Sequence, residues 1–154
     1  MRFLSFVSAV LCLFIAGCAT KPLSISYYHP GLGEKKVSSL LDKVSQIEAQ
    51  DFENIKLETL ATDKFSSHHL VVIRKMEPYH YHATHDVWAL ILQGEGEFIL
   101  GEKRFKIFPG ASFFVPRSVR HQATSQGKVP LAAFAIFTPP FDGKDTIPVE
   151  HPNL

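Results

Sequence analysis

The chain has 154 residues, 45% of them hydrophobic and 20% charged, with 16 basic against 15 acidic side chains and a formal net charge of +1. That length supports one domain with a core and is too short for two. Near-neutrality argues against nucleic acid as a partner, since Lys35-Lys36 and Lys103-Arg104 are isolated pairs rather than a basic stripe.

The first residues differ in kind from the rest. Met1-Arg2 is a short positive start, and Phe3 to Ile15 is almost wholly apolar or small. Such a stretch is short for a helix crossing a ~30 Å hydrocarbon layer, and it reads as an export signal over residues 1–17. Its end, Ile15-Ala16-Gly17-Cys18, resembles the lipobox of bacterial lipoproteins. The resemblance implies cleavage before Cys18, lipidation of that cysteine, and anchoring on the periplasmic face of the inner or outer membrane of a bacterial envelope. Several acyl chains, at about 0.8 kcal/mol per buried methylene, make such an anchor effectively permanent. The two cysteines are Cys12 and Cys18, so the expected mature domain keeps no thiol for a disulfide, a thiolate metal site or a nucleophile. Any metal must then be held by histidine and carboxylate.

Residues 18–33 carry Pro22, Pro30, Gly31 and Gly33 and read as a lipidated N-terminus and tether. Val37, Leu40, Leu41, Val44 and Ile47 recur at three- and four-residue spacing, which predicts an amphipathic helix over residues 34–50. Its stripe serves either to pack on the domain or to pair two chains as a homodimer. From Ile55 the period becomes two. Ile55, Leu57 and Thr59 alternate with charged residues, and further strands are predicted at Leu70–Ile73, Trp88–Leu92, Glu97–Leu100, Lys103–Phe108, Ser112–Val115, His121–Thr124 and Leu131–Phe137. Short strands parted by Gly and Pro, with no helical pattern between them, predict an all-β antiparallel sandwich or barrel. Trp88, Phe98, Phe113, Phe114, Phe134 and Phe137 are expected in its core, and residues 142–154 read as a polar tail.

His80 and His82 stand two apart, so on a strand both imidazoles project from one face. His121 begins another predicted strand and reaches the same ion if that strand lies nearby. Three neutral imidazoles leave positions open on a metal, the condition for chemistry rather than mere structure. His29, His68, His69 and His151 belong to no pattern and are expected at the surface or in turns.

These residues lie in two segments that resemble the paired motifs of the cupin superfamily. The stretch from His80 through Gly94-Glu95-Gly96-Glu97-Phe98 follows the first motif, a His-x-His pair, then after three or four residues a glutamate, then six residues and a glycine. Gly110 through Pro116 to His121 follows the second, except that Ser118 stands where the family has glycine. The resemblance spans residues 52–141 and implies a jelly-roll β-barrel holding one divalent transition metal, Fe, Mn, Ni or Zn, through His80, His82 and His121. The family glutamate, a usual fourth ligand, falls at Val87 when counted back from Gly94. Asp86 and His85 are the nearby candidates to replace it, although a shift of one residue turns a strand side chain to the other face. Three ligands without an acid are the favoured set. Histidine-only ligation leaves the ion more positive and favours an anionic chelating substrate. The resemblance implies a small-molecule dioxygenase or isomerase. A module that binds or senses a small ligand or a metal, and a structural lipoprotein, are the other functions compatible with the chain.

Overall fold

The computed structural model describes residues 22–29, 33–37 and 39–150. The signal segment, Cys18 and His151 lie outside the described residues. Among those described, no helix is long and apolar enough to cross a membrane.

Strands β1 (Ile25–His29) and β2 (Gly33–Val37) form an antiparallel hairpin ahead of helix α1 (Leu40–Glu48). The helix is therefore shorter than the predicted 34–50, because Glu34 to Val37 pair as a strand. Ser39 starts it, its side-chain oxygen accepting the Asp42 amide at 3.1 Å. At the other end the Arg74 guanidinium donates to the carbonyls of Glu48 and Gln50 and lies 3.9 Å over the Phe52 ring. Carbonyls that a helix C-terminus leaves unpaired are satisfied in this way.

Ten strands build the barrel: β3 (Ile55–Thr62), β4 (Ser67–Ile73), β5 (His80–Tyr81), β6 (Asp86–Gln93), β7 (Gly96–Leu100), β8 (Lys103–Ile107), β9 (Ser112–Val115), β10 (His121–Ser125), β11 (Leu131–Thr138) and β12 (Ile147–Pro148). They form two five-stranded antiparallel sheets, β3-β4-β11-β6-β9 and β12-β5-β10-β7-β8, in the jelly-roll manner of a cupin. The first sheet is covered on both faces. Leu40, Val44 and Ile47 of α1 pack with Leu70, Val72 and Ala132 on one side, while Leu41 of the same stripe stays exposed. On the other side Ile73, Val87, Ile91 and Phe137 meet Phe98 and Ile107 of the second sheet. Burial on both faces is why β4 and β11 read as apolar runs and not as alternation.

Three local features differ from expectation. Trp88 and Phe114 are opposite one another on β6 and β9, with ring centroids 5.7 Å apart, and each is about half exposed. They point outward where α1 does not reach, whereas Phe98 and Phe137 do enter the core. His69 is neither at the surface nor in a turn: it is 1% exposed, inside the barrel, its ring bonded to the hydroxyls of Thr59 and Ser67. The segment after residue 142 returns to the barrel, where Ile147 and Pro148 pair with Tyr81 and His80.

The turns explain two motif positions. Gly94 has φ +85°, and a Cβ there would sit 2.6 Å from the Pro130 carbonyl oxygen. Ser118, standing in place of the family glycine, still adopts the glycine conformation at φ +64°.

Candidate metal centre

Pairing of β5 with β10 sets His80 directly opposite His121, and their ring centroids are 4.2 Å apart. His82 follows β5 by one residue, 5.0 Å from the His80 ring and 5.2 Å from the His121 ring. One potential ligand atom from each of the three lies within 4.8 Å of the others. All three residues are 5% exposed. Among the described residues no other group of histidine, cysteine, aspartate or glutamate side chains converges in this way.

Backbone carbonyls orient the rings. His80 Nδ1 donates to Pro78 O at 2.7 Å and His121 Nδ1 to Val119 O at 3.0 Å, while His82 Nδ1 donates to Asp145 O. Each Nδ1–H is thereby committed, and each Nε2 is left with its lone pair for an ion. Burial lowers the pKa of all three. His121 falls to about 3, its burial reinforced by the neighbouring His80, and the carbonyl bonds of His80 and His82 only partly oppose the effect. Three neutral imidazoles with matched tautomers are a donor set suited to a divalent transition metal.

The candidates for a fourth ligand are engaged elsewhere. Asp86 accepts the Arg117 backbone amide at 2.8 Å and the guanidinium at 3.1 and 2.7 Å. The Arg117 side chain holds its pKa down at about 2. His85 has its Nδ1 on Asp145 Oδ2 at 2.5 Å and its Nε2 on Pro140 O at 3.1 Å, so neither nitrogen is spare. Val87, where the family acid would stand, is buried and faces the cavity beside the histidines.

Two functional residues escaped the sequence reading. Asp145, in the supposed tail, gives its carbonyl to His82, and its carboxylate accepts the amides of Ala83 (2.9 Å) and Thr84 (2.8 Å) as well as the His85 ring. Burial alone would raise its pKa, but these donors outweigh burial and hold it below the carboxylate range. Glu77 is the second. Its amide donates to Ala123 O at 2.9 Å, while its Oε2 accepts the Ala123 amide at 3.1 Å, so the side chain completes a ladder rung just before Pro78. It lines the same cavity as the histidines, and burial raises its pKa to about 7. Nothing in the sequence around Glu77 marks it out.

The cavity lies between the two sheets and has a volume of about 180 Å³. The three histidines open onto it among aliphatic and aromatic side chains.

Comparison with known proteins agrees with this geometry. Residues 69–137 match the family described as Cupin domain. An uncharacterized protein of Aquifex aeolicus is 36% identical over 121 residues, covering 75% of this chain and 94% of the relative. The structure of KdgF from Halomonas sp. aligns with TM-score 0.55 and 25% identity, over 60% of this chain and 86% of that one. Ectoine synthase from P. lautus shares the fold with TM-score 0.57 and 20% identity, over 75% of this chain and 91% of its own. With the jelly roll, both motifs in order and three converging histidines, residues 69–137 form a cupin domain.

Proposed function

We propose that this cupin holds one divalent transition metal, Fe, Mn, Ni or Zn, on the Nε2 atoms of His80, His82 and His121 and uses it to act on a small molecule in the barrel. The observation that carries this reading is the tautomer lock: three backbone carbonyls take the three Nδ1–H groups of rings that share one point. A bound metal would supply Lewis acidity and open coordination positions for a chelating substrate. The chain's own residues supply the rest. The apolar wall excludes water, and Glu77, with a pKa near neutrality, is placed to give or take a proton at a molecule in the cavity.

We also propose that Cys18 is lipidated and carries the domain on the periplasmic face of a bacterial envelope membrane. A fatty-acid label incorporated by wild type and lost in Cys18→Ser, with release from the membrane fraction, is the expected result. Label retained in Cys18→Ser would defeat this part.

Elemental analysis of the purified protein tests the centre. About one metal per chain is expected, falling in each of His80→Ala, His82→Ala and His121→Ala. Undiminished metal in those variants would remove the reading. Capture of a small ligand without turnover is the second reading, supported by the scarcity of polar groups in the wall. Substrate-dependent turnover that needs Glu77 would decide for the enzyme.

A further inference from the structure

The cavity wall says what kind of molecule the centre takes, and this inference rests on the metal reading above. Apart from the three histidines, the polar side chains lining the cavity are Glu77 and Thr146. No lysine, arginine, asparagine or glutamine reaches it among the described residues. Arg117, beside the second motif, is turned away into its pair with Asp86. The remainder is hydrocarbon, with Val71, Ile73, Ile91, Phe98, Ala133 and Phe137 contributed by both sheets.

Two physical consequences follow. A ligand bearing several hydroxyls would strip them of water and find almost nothing to bond, and each loss weakens binding by about tenfold or more. A second anionic group would meet no cation. Size restricts the ligand further, because a cavity of about 180 Å³ lies below the range for drug-sized ligands.

We infer that the centre serves a small molecule with a single oxygen-donor chelating head and a hydrocarbon body, the head on the three-histidine metal and the body between the sheets. The Glu77 carboxyl, whose Oε2 is held by Ala123, is the one acid among the described residues that lines the cavity, positioned to exchange a hydrogen bond with the head or the atom next to it. Sugars and polyhydroxylated acids are disfavoured by the same wall.

The test uses the full chain loaded with zinc and three hydroxamates that share one head: acetohydroxamate, hexanohydroxamate and gluconohydroxamate, titrated by calorimetry. Hexanohydroxamate is expected to bind at least tenfold tighter than acetohydroxamate, and gluconohydroxamate no tighter than acetohydroxamate. Ala133→Leu and Ala89→Leu, which fill the cavity from neighbouring strands, should erase the hexanohydroxamate advantage while leaving zinc content and acetohydroxamate affinity in place. Thermal melting identifies a variant that has failed to fold, and the other then carries the comparison. Equal affinities for all three probes, tightest binding by gluconohydroxamate, or an advantage that survives cavity filling would each overturn the inference. Failure to hold zinc at the outset would instead remove the metal reading itself.

Discussion

The carbonyl of Asp145 receives the Nδ1–H of His82 across 63 positions of sequence. The same residue's carboxylate clasps Ala83, Thr84 and His85, so one side chain fixes the loop that follows the ligand. Groups that orient a ligating imidazole typically contribute 10–100-fold to metal affinity. Asp145→Ala keeps the carbonyl but frees the loop, and a loss of about tenfold in zinc affinity is expected. Competition against a chromophoric chelator measures it, and unchanged affinity would show the clasp to be irrelevant to the metal.

Substitutions at the neighbouring acid and histidine should separate sharply from those at the ligands. Asp86→Ala and His85→Ala are expected to retain the metal content of wild type, because Asp86 is taken by Arg117 and both His85 nitrogens are bonded elsewhere. Metal loss in Asp86→Ala, measured by mass spectrometry of the purified variant, would reinstate that carboxylate as a ligand.

Ser118 offers a stability test at a motif position. It holds φ +64°, and its amide donates to His82 O at 2.6 Å. A left-handed conformation costs a non-glycine residue roughly 1–2 kcal/mol, part of which glycine returns through its greater freedom when unfolded. Ser118→Gly is therefore expected to stabilise the domain by up to about 1 kcal/mol in urea unfolding. A destabilised variant would contradict the strain argument.

Glu77 makes stability depend on pH with a definite sign. Its pKa rises from 4.5 to about 7 on folding, so between these values the native state binds more protons than the unfolded chain. The stability it contributes is complete below about pH 4.5 and is lost as pH rises through 7, by at most about 3 kcal/mol. His80, His82 and His121 act oppositely in the metal-free protein, since their lowered pKa values cost stability as pH falls below 6.5. The difference between wild type and Glu77→Gln isolates the carboxyl. The variant should gain on wild type between pH 5 and pH 8, measured by urea unfolding in the presence of a chelator, and a pH-independent difference would refute the shift.

Local chemistry was enough for much of this protein. Alternation, apolar runs and Gly or Pro punctuation located the strands from β3 to β11 apart from β5, because these signals depend on residues within a few positions of one another. The His-x-His spacing and the count from Gly94 to Val87 are likewise local, each running one residue past the end of a strand, β5 or β6, whose parity decides which face a side chain takes. Packing decided what parity leaves open. Trp88 sits outside because α1 covers only part of its sheet, and His69 sits inside because Thr59 and Ser67 are there to bond its ring. Glu34 to Val37 continue a helical period, yet they pair with β1, which outweighs that local preference. Asp145 and Glu77 carry no periodic mark at all. Their roles arise from pairings of β12 with β5 and of Glu77 with Ala123, contacts between distant stretches whose register exists only once the barrel has closed.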